Sequence, residues 1–169
     1  MGYVNVTDIS TFIPPSMIQK TLGTWTPTIS SNLISDVRTA ADASFALLVP
    51  LVLPGSDIGL QGAKIKGVDL WYKIATNAAD DFATVEVSVV TLADQGDACA
   101  GTTVDITIDT AHDAAAERKA IEDHKMEITL DDPVFIEEGK AYYLNCLVDA
   151  HANTAFSLFG ALVHYELRL

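Results

Sequence analysis

A chain of 169 residues is long enough to bury one sizeable core and too short for two comfortable domains. Ten Lys and Arg against 23 Asp and Glu give a formal charge of −13, with no basic run to neutralise a row of phosphates, which argues against direct nucleic-acid binding. The hydrophobic fraction is 49% and only 20% of residues are charged, more apolar surface than a lone small sandwich hides, which points to subunit contacts.

Met1 to Thr7 has neither a basic n-region nor an apolar h-region, so the expectation is synthesis in the cytoplasm without a signal peptide. Pro14 to Gly23 reads as a short helix, with proline at its start, Met17, Ile18 and Leu22 at helical spacing, and glycine just after. Ten residues make a marginal helix, so that face needs a partner. Trp25 to Ile29 is a short extended piece, and Ser30 to Ala43 carries a mixed signal without a clear assignment.

From Ser44 the chain becomes a series of strands. Ser44 to Leu53 is nearly all apolar, too short to span a bilayer and interrupted by Pro50, so it reads as a buried strand with a bulge or an edge at the proline. Pro54 to Asp57 is a turn. In Ala63 to Ala75 the residues Val68, Leu70, Tyr72 and Ile74 share one face and Asp69, Trp71 and Lys73 the other, and Gly67 interrupts the alternation as a bulge would. With Thr84 to Val90, in which Val85, Val87 and Val89 align, this stretch reads as the central hairpin of a sandwich.

Thr103 to Asp109 alternates as a single strand with Val104, Ile106 and Ile108 inward. Asp113 then reads as the N-cap of a helical insertion of two or three turns over Ala114 to Ala120. His124, Met126, Ile128 and Leu130 restart the strand period, Asp131-Asp132-Pro133 leads into Val134 to Ile136, and Tyr142, Leu144, Cys146 and Val148 form another stripe. The last strand, Phe156 to Leu169, places Phe159, Ala161, Val163, Tyr165, Leu167 and Leu169 on one face. The fold expected is all-β: an antiparallel β-sandwich of jelly-roll type with a short N-terminal helix and a short helical insertion. Residues 1–43 are read as an N-terminal arm and 44–169 as the sandwich domain.

Chemistry-bearing patterns are sparse. His112, His124, His151 and His164 are scattered, with none at a metal-ligand spacing, and His112 and His151 are loop residues near Asp113 and Asp149. Cys99 and Cys146 are too few for a disulfide framework or a zinc site, and Cys146 reads as a buried thiol. The pairs Asp80-Asp81, Asp131-Asp132 and Glu137-Glu138 sit where polar turns belong, though Asp57, Asp80, Asp81 and Asp97 offer oxygens that suit calcium. No nucleophile elbow or phosphate loop is present, so the reading is not an enzyme, with no cofactor and no metal.

Trp25-Thr26-Pro27, Leu47 to Pro54, Gly67 to Ile74 with Thr84 to Val87, His124 to Leu130 and Ala141 to Leu144 together resemble the small jelly-roll structural proteins of tailed bacteriophages. That group includes capsid-decoration, head-fibre and tail-fibre modules. The resemblance implies a non-enzymatic virion structural protein, a homotrimer that attaches to a capsid or tail protein through its N-terminal arm. Met17, Ile18, Leu22, Trp25 and Trp71 are then the candidate subunit or partner contacts, because exposed Trp is an anchor type at interfaces. The alternative is a carbohydrate-binding β-sandwich module or a receptor-binding fibre domain, with Trp and Tyr platforms. Neither nucleic acid nor membrane is expected as a partner.

Overall fold

The computed structural model describes residues 6–51, 62–93 and 97–168. The Pro54 to Asp57 turn, the calcium candidate Asp57 and Leu169 lie outside the described residues. In chain order the strands are β1 (Val6–Ile13), β2 (Gln19–Lys20), β3 (Trp25–Ser30), β4 (Leu33–Arg38), β5 (Ala43–Pro50), β6 (Lys64–Ala75) and β7 (Asp81–Thr91). They continue with β8 (Ala100–Val104), β9 (Ile106–Ile108), the one-turn helix α1 (Ala115–Arg118), β10 (Asp123–Phe135), β11 (Lys140–Ala150) and β12 (Ala155–Arg168).

These strands form two antiparallel sheets. The larger runs β3-β4-β12-β6-β10-β9, and β1 pairs with β12 beyond the end of β4; the smaller runs β2-β5-β11-β7-β8. Consecutive strands β4 to β7 and β10 to β12 change sheet at each connection, so that β4-β12-β6-β10 faces β5-β11-β7-β8. That alternation is the eight-strand jelly-roll pattern. The chain is an all-β sandwich of jelly-roll type.

The inward faces are those the period of two requires. Val68, Leu70, Tyr72 and Ile74 of β6 meet Phe45, Leu47 and Val49 of β5 and Leu144, Cys146 and Val148 of β11 in one core, all fully buried. A ring cluster fills one end, with Phe156 5.1 Å from Phe45 and 5.4 Å from Tyr72.

Two bulges re-aim the outer face. At Gly67 the β6 register slips against both neighbours, so Ile65 and Val68 are both buried although three residues apart. At Gly160 (φ 128°) the parity of β12 switches: Phe156 and Leu158 face inward before it, Ala161, Val163 and Tyr165 after it. A single-parity reading of β12 therefore fails at Phe159, which is only half-buried.

The connectivity corrects several expectations. The stretches 63–75 and 84–90 are not a hairpin: β6 lies between β12 and β10, and β7 between β11 and β8 in the other sheet. The link 76–80 arches between the sheets from Thr76 at φ 73°, and the Asp80 N–H donates to the Asp149 carbonyl of β11 (2.8 Å). Thr103 to Asp109 likewise divides into β8 and β9 on opposite sheets, whereas His124 to Phe135 is one bulged strand.

The N-terminal helix is reduced to a 3₁₀ turn over Pro15–Met17, because the chain at once extends to pair Gln19 and Lys20 with β5. The insertion helix is a single turn whose N-cap is Ala114 and not Asp113; the Ala114 N–H donates to the Glu117 carboxylate (3.1 Å). So short a helix has little stability of its own. Arg118 fixes it by donating to the Phe82 carbonyl of β7 (2.8 Å).

Residues 6–13 and 25–38 are strands of the larger sheet. The Ser30 to Ala43 stretch carries no clear signal because β4 buries polar residues: Asp36 and Arg38 on its inward face and Ser35 on the other. Ser31 and Asn32, both at positive φ, make the tight turn between β3 and β4. Arg38 lies over the Phe45 ring (4.7 Å) and donates to the Ala41 and Ala43 carbonyls, and burial lowers its pKa.

Candidate functional site

The outer face of the larger sheet carries a cleft of about 400 Å³ across β1, β12, β6 and β10. Its floor is a cross-strand row in which Ser10 lies opposite His164, His164 opposite Gly67, and Gly67 opposite Thr129. Gly67 contributes no side chain, so the row dips between its neighbours. The next row runs Phe12, Leu162, Asp69 and Glu127.

The side chains over this floor form one polar chain. Ser10 Oγ is 2.9 Å from His164 Nδ1, and His164 Nε2 is 3.3 Å from Asp69 Oδ1. The His164 ring thus stands between the Ser10 hydroxyl, hydrogen-bonded at Nδ1, and the Asp69 carboxylate on its Nε2 side. The other Asp69 oxygen faces Lys125 Nζ at 3.3 Å, and Lys125 donates to Glu127 at 2.5 Å. Glu127 and then Asp69 hold the Lys125 ammonium above its ordinary range. At the far side Lys66 donates to Asp8 (3.0 Å). Asp69 is only 9% exposed, so the chain is anchored at its centre.

Aromatic rings flank the cleft. Trp71 is half-buried on the same outer face, opposite Lys125 and Gly160, and the Lys125 ammonium lies 5.8 Å from its ring centre. Phe12 is exposed and lies over Gly160, where a Cβ would meet its ring at 2.7 Å. A planar ring beside fixed donors and acceptors can stack an apolar ligand face while the polar groups take hydroxyls.

The other singled-out residues lie elsewhere. Ile18 is 2% exposed, inside the chain's own core, so it offers no contact surface. Trp25 packs edge-on against Phe45 (5.3 Å) and Phe156 (6.1 Å), and its indole N–H donates to the Leu22 carbonyl (3.3 Å). Met17 and Leu22 remain exposed. His151 bonds Asn77, Asp149 accepts from Ser44, and Glu137 pairs with Lys140. Asp81 caps the Phe82 N–H and Asp131 accepts from Thr107. No group of three or more His, Cys, Asp or Glu is placed to hold a metal ion among the described residues. Asp8 and Ser10 escaped the sequence reading, although Asp8, Ser10 and Phe12 alternate with Ile9, Thr11 and Ile13, a strand signal in itself.

No family model and no curated protein sequence matches the chain. Among solved structures it is similar to a carbohydrate-binding module solved in complex with beta-1,4-galactotriose, at 13% identity and a TM-score of 0.37, over 96% of this chain and 88% of that one. It is also similar to a structure described for carbohydrate-binding modules of the β-sandwich superfamily, at 12% identity and a TM-score of 0.41, over 92% of this chain and 55% of that one. Both neighbours are described as carbohydrate-binding modules and neither as a phage particle protein, which runs against the expectation of a virion structural protein.

Proposed function

We propose that this chain is a non-catalytic carbohydrate-binding β-sandwich module that holds a neutral sugar on the outer face of its larger sheet. The observation that carries the reading is the cleft with its charges already paired. Lys66 is matched by Asp8, and Lys125 by Asp69 and Glu127. An anionic ligand would have to displace a carboxylate from one of these ammoniums, whereas a hydroxyl can accept from an ammonium and donate to a carboxylate at once. Trp71 supplies the apolar platform for a ring face beside them.

The test is a glycan array with the intact chain, followed by calorimetric titration of any neutral oligosaccharide retained. Trp71→Ala and Glu127→Ala are each expected to weaken binding by about tenfold or more, with the fold unchanged by circular dichroism. Absence of any neutral glycan from the array, or binding indifferent to both substitutions, would sink the reading. Covalent labelling of Ser10 by a fluorophosphonate would instead move the Ser10, His164 and Asp69 group into hydrolytic chemistry.

A further inference from the structure

Away from the cleft, residues 109–122 form a strap between β9 and β10 that carries a buried imidazole, His112 at 7% exposure, against a second, His124 at 3% exposure, at the start of β10. They belong to a chain of hydrogen bonds with an acceptor at each end. His112 Nδ1 lies 2.9 and 3.0 Å from the two Asp109 oxygens, His112 Nε2 lies 3.2 Å from His124 Nδ1, and His124 Nε2 lies 3.0 Å from the Ala120 carbonyl.

The protons in this chain can be counted. Asp109 is a carboxylate: burial opposes its charge, but the Glu127 N–H, the His112 ring and the Ala111 N–H outweigh burial and hold its pKa below the ordinary value. The two ends accept only, so His112 Nδ1 and His124 Nε2 must both carry hydrogen. The central nitrogen pair needs a hydrogen as well. Three hydrogens on two rings is one more than two neutral imidazoles hold.

We propose that His112 and His124 share a single extra proton, balanced by Asp109, and that this singly charged pair latches the 109–122 strap against the sandwich. Burial lowers the pKa of His124, which places the charge on the side nearer Asp109. A second proton would set two N–H groups against each other across 3.2 Å; loss of the shared proton would set two lone pairs there. The latch is therefore closed within a bounded pH window and loosens on both sides of it.

The surroundings are consistent with one charge and not two. From β6 the Tyr72 ring stacks on His124 at 4.4 Å, and its phenol donates to the Arg118 carbonyl (2.8 Å). From the strap, Glu122 comes within 3.9 Å of His124 Nδ1, and the Arg118 guanidinium is committed to the His112 and Asp113 carbonyls and to β7. Asp123 is drawn to Lys73 (3.1 Å), and Cys146 of β11 stays a neutral thiol.

The experiment is imidazole nitrogen NMR and amide hydrogen exchange on the full chain, from about pH 4 to about pH 9. At the pH of greatest protection, the rings should show one cationic imidazole and one neutral ring protonated at His124 Nε2. Protection of the Lys119 and Ala120 amides should fall about tenfold on either side, relative to core amides of β6. His124→Phe, which keeps the stacking on Tyr72, should make that protection independent of pH. Two neutral rings at the pH of greatest protection, or wild-type protection flat across the range, would overturn the proposal without recourse to any variant.

Discussion

His164 reaches Asp69 diagonally: its Nε2 stands 3.3 Å from Asp69 Oδ1, although in the ladder His164 is opposite Gly67 and Asp69 is opposite Leu162. The diagonal is open because Gly67 places no side chain beneath the ring. A Cβ at Gly67 would meet the Ile128 carbonyl oxygen at 2.5 Å, and backbone in a central ladder cannot give way as a side chain can. Gly67→Ala should cost about 1–3 kcal/mol in urea unfolding and weaken glycan binding. Gly101→Ala, where nothing lies within 4 Å, is the control and should leave stability within about 0.5 kcal/mol.

Arg118 is buried and satisfied entirely by backbone carbonyls, those of Phe82, Ala83, His112 and Asp113. Arg118→Ala leaves these acceptors without their donors and is expected to destabilise the chain by about 2–4 kcal/mol in chemical denaturation. Arg118→Lys should not restore it, since one ammonium cannot reproduce the planar fork.

The pH dependence of stability follows from shifts of known sign. His124 resists protonation when folded, mainly through burial, so the unfolded chain binds more protons below the ordinary His value of 6.5 and stability falls as pH drops through it. Asp109, held low, adds a further loss at and below its ordinary value of 3.8. On the alkaline side burial raises Tyr72 and Tyr165 and pushes Cys146 up to about 12, so stability falls as pH rises past the unfolded values of 9.0 and 10.0. Urea midpoints across the range should trace a dome; a midpoint that keeps rising above pH 10 would contradict the burial of these groups.

The two thiols should separate cleanly by reactivity. Cys99 is exposed and Cys146 is wholly buried, with no disulfide between them. A thiol reagent at neutral pH is expected to modify one cysteine in the native chain and the second only in denaturant, because little thiolate forms at a thiol shifted to about 12. Two fast-reacting thiols in the native state would show that β11 opens readily.

Which residues point inward was legible along single strands. Val68, Leu70, Tyr72 and Ile74 are all fully buried, as alternation requires of a strand with one face on a core, and Gly67 interrupts the pattern at the position where the register slips. The unusual placement of Trp71 on the polar face was visible in the same way, and that face carries the cleft. The sandwich class and the run of strands thus rest on local chemistry, since period two is a property of consecutive residues.

Which strand lies beside which was not local, and the tertiary structure alone decided it. The same alternation serves a hairpin and a crossing between sheets, so β6 and β7 looked like neighbours until the arch at 76–80 separated them. Ser10 and His164 stand 154 residues apart in sequence and 2.9 Å apart in the cleft. His112 and His124, with no metal-ligand spacing between them, meet because the strap folds back onto β10. Sequence by itself determined the faces; pairing between distant strands determined which faces meet, because the hydrogen bonds that join a ladder are made by backbone groups common to every residue.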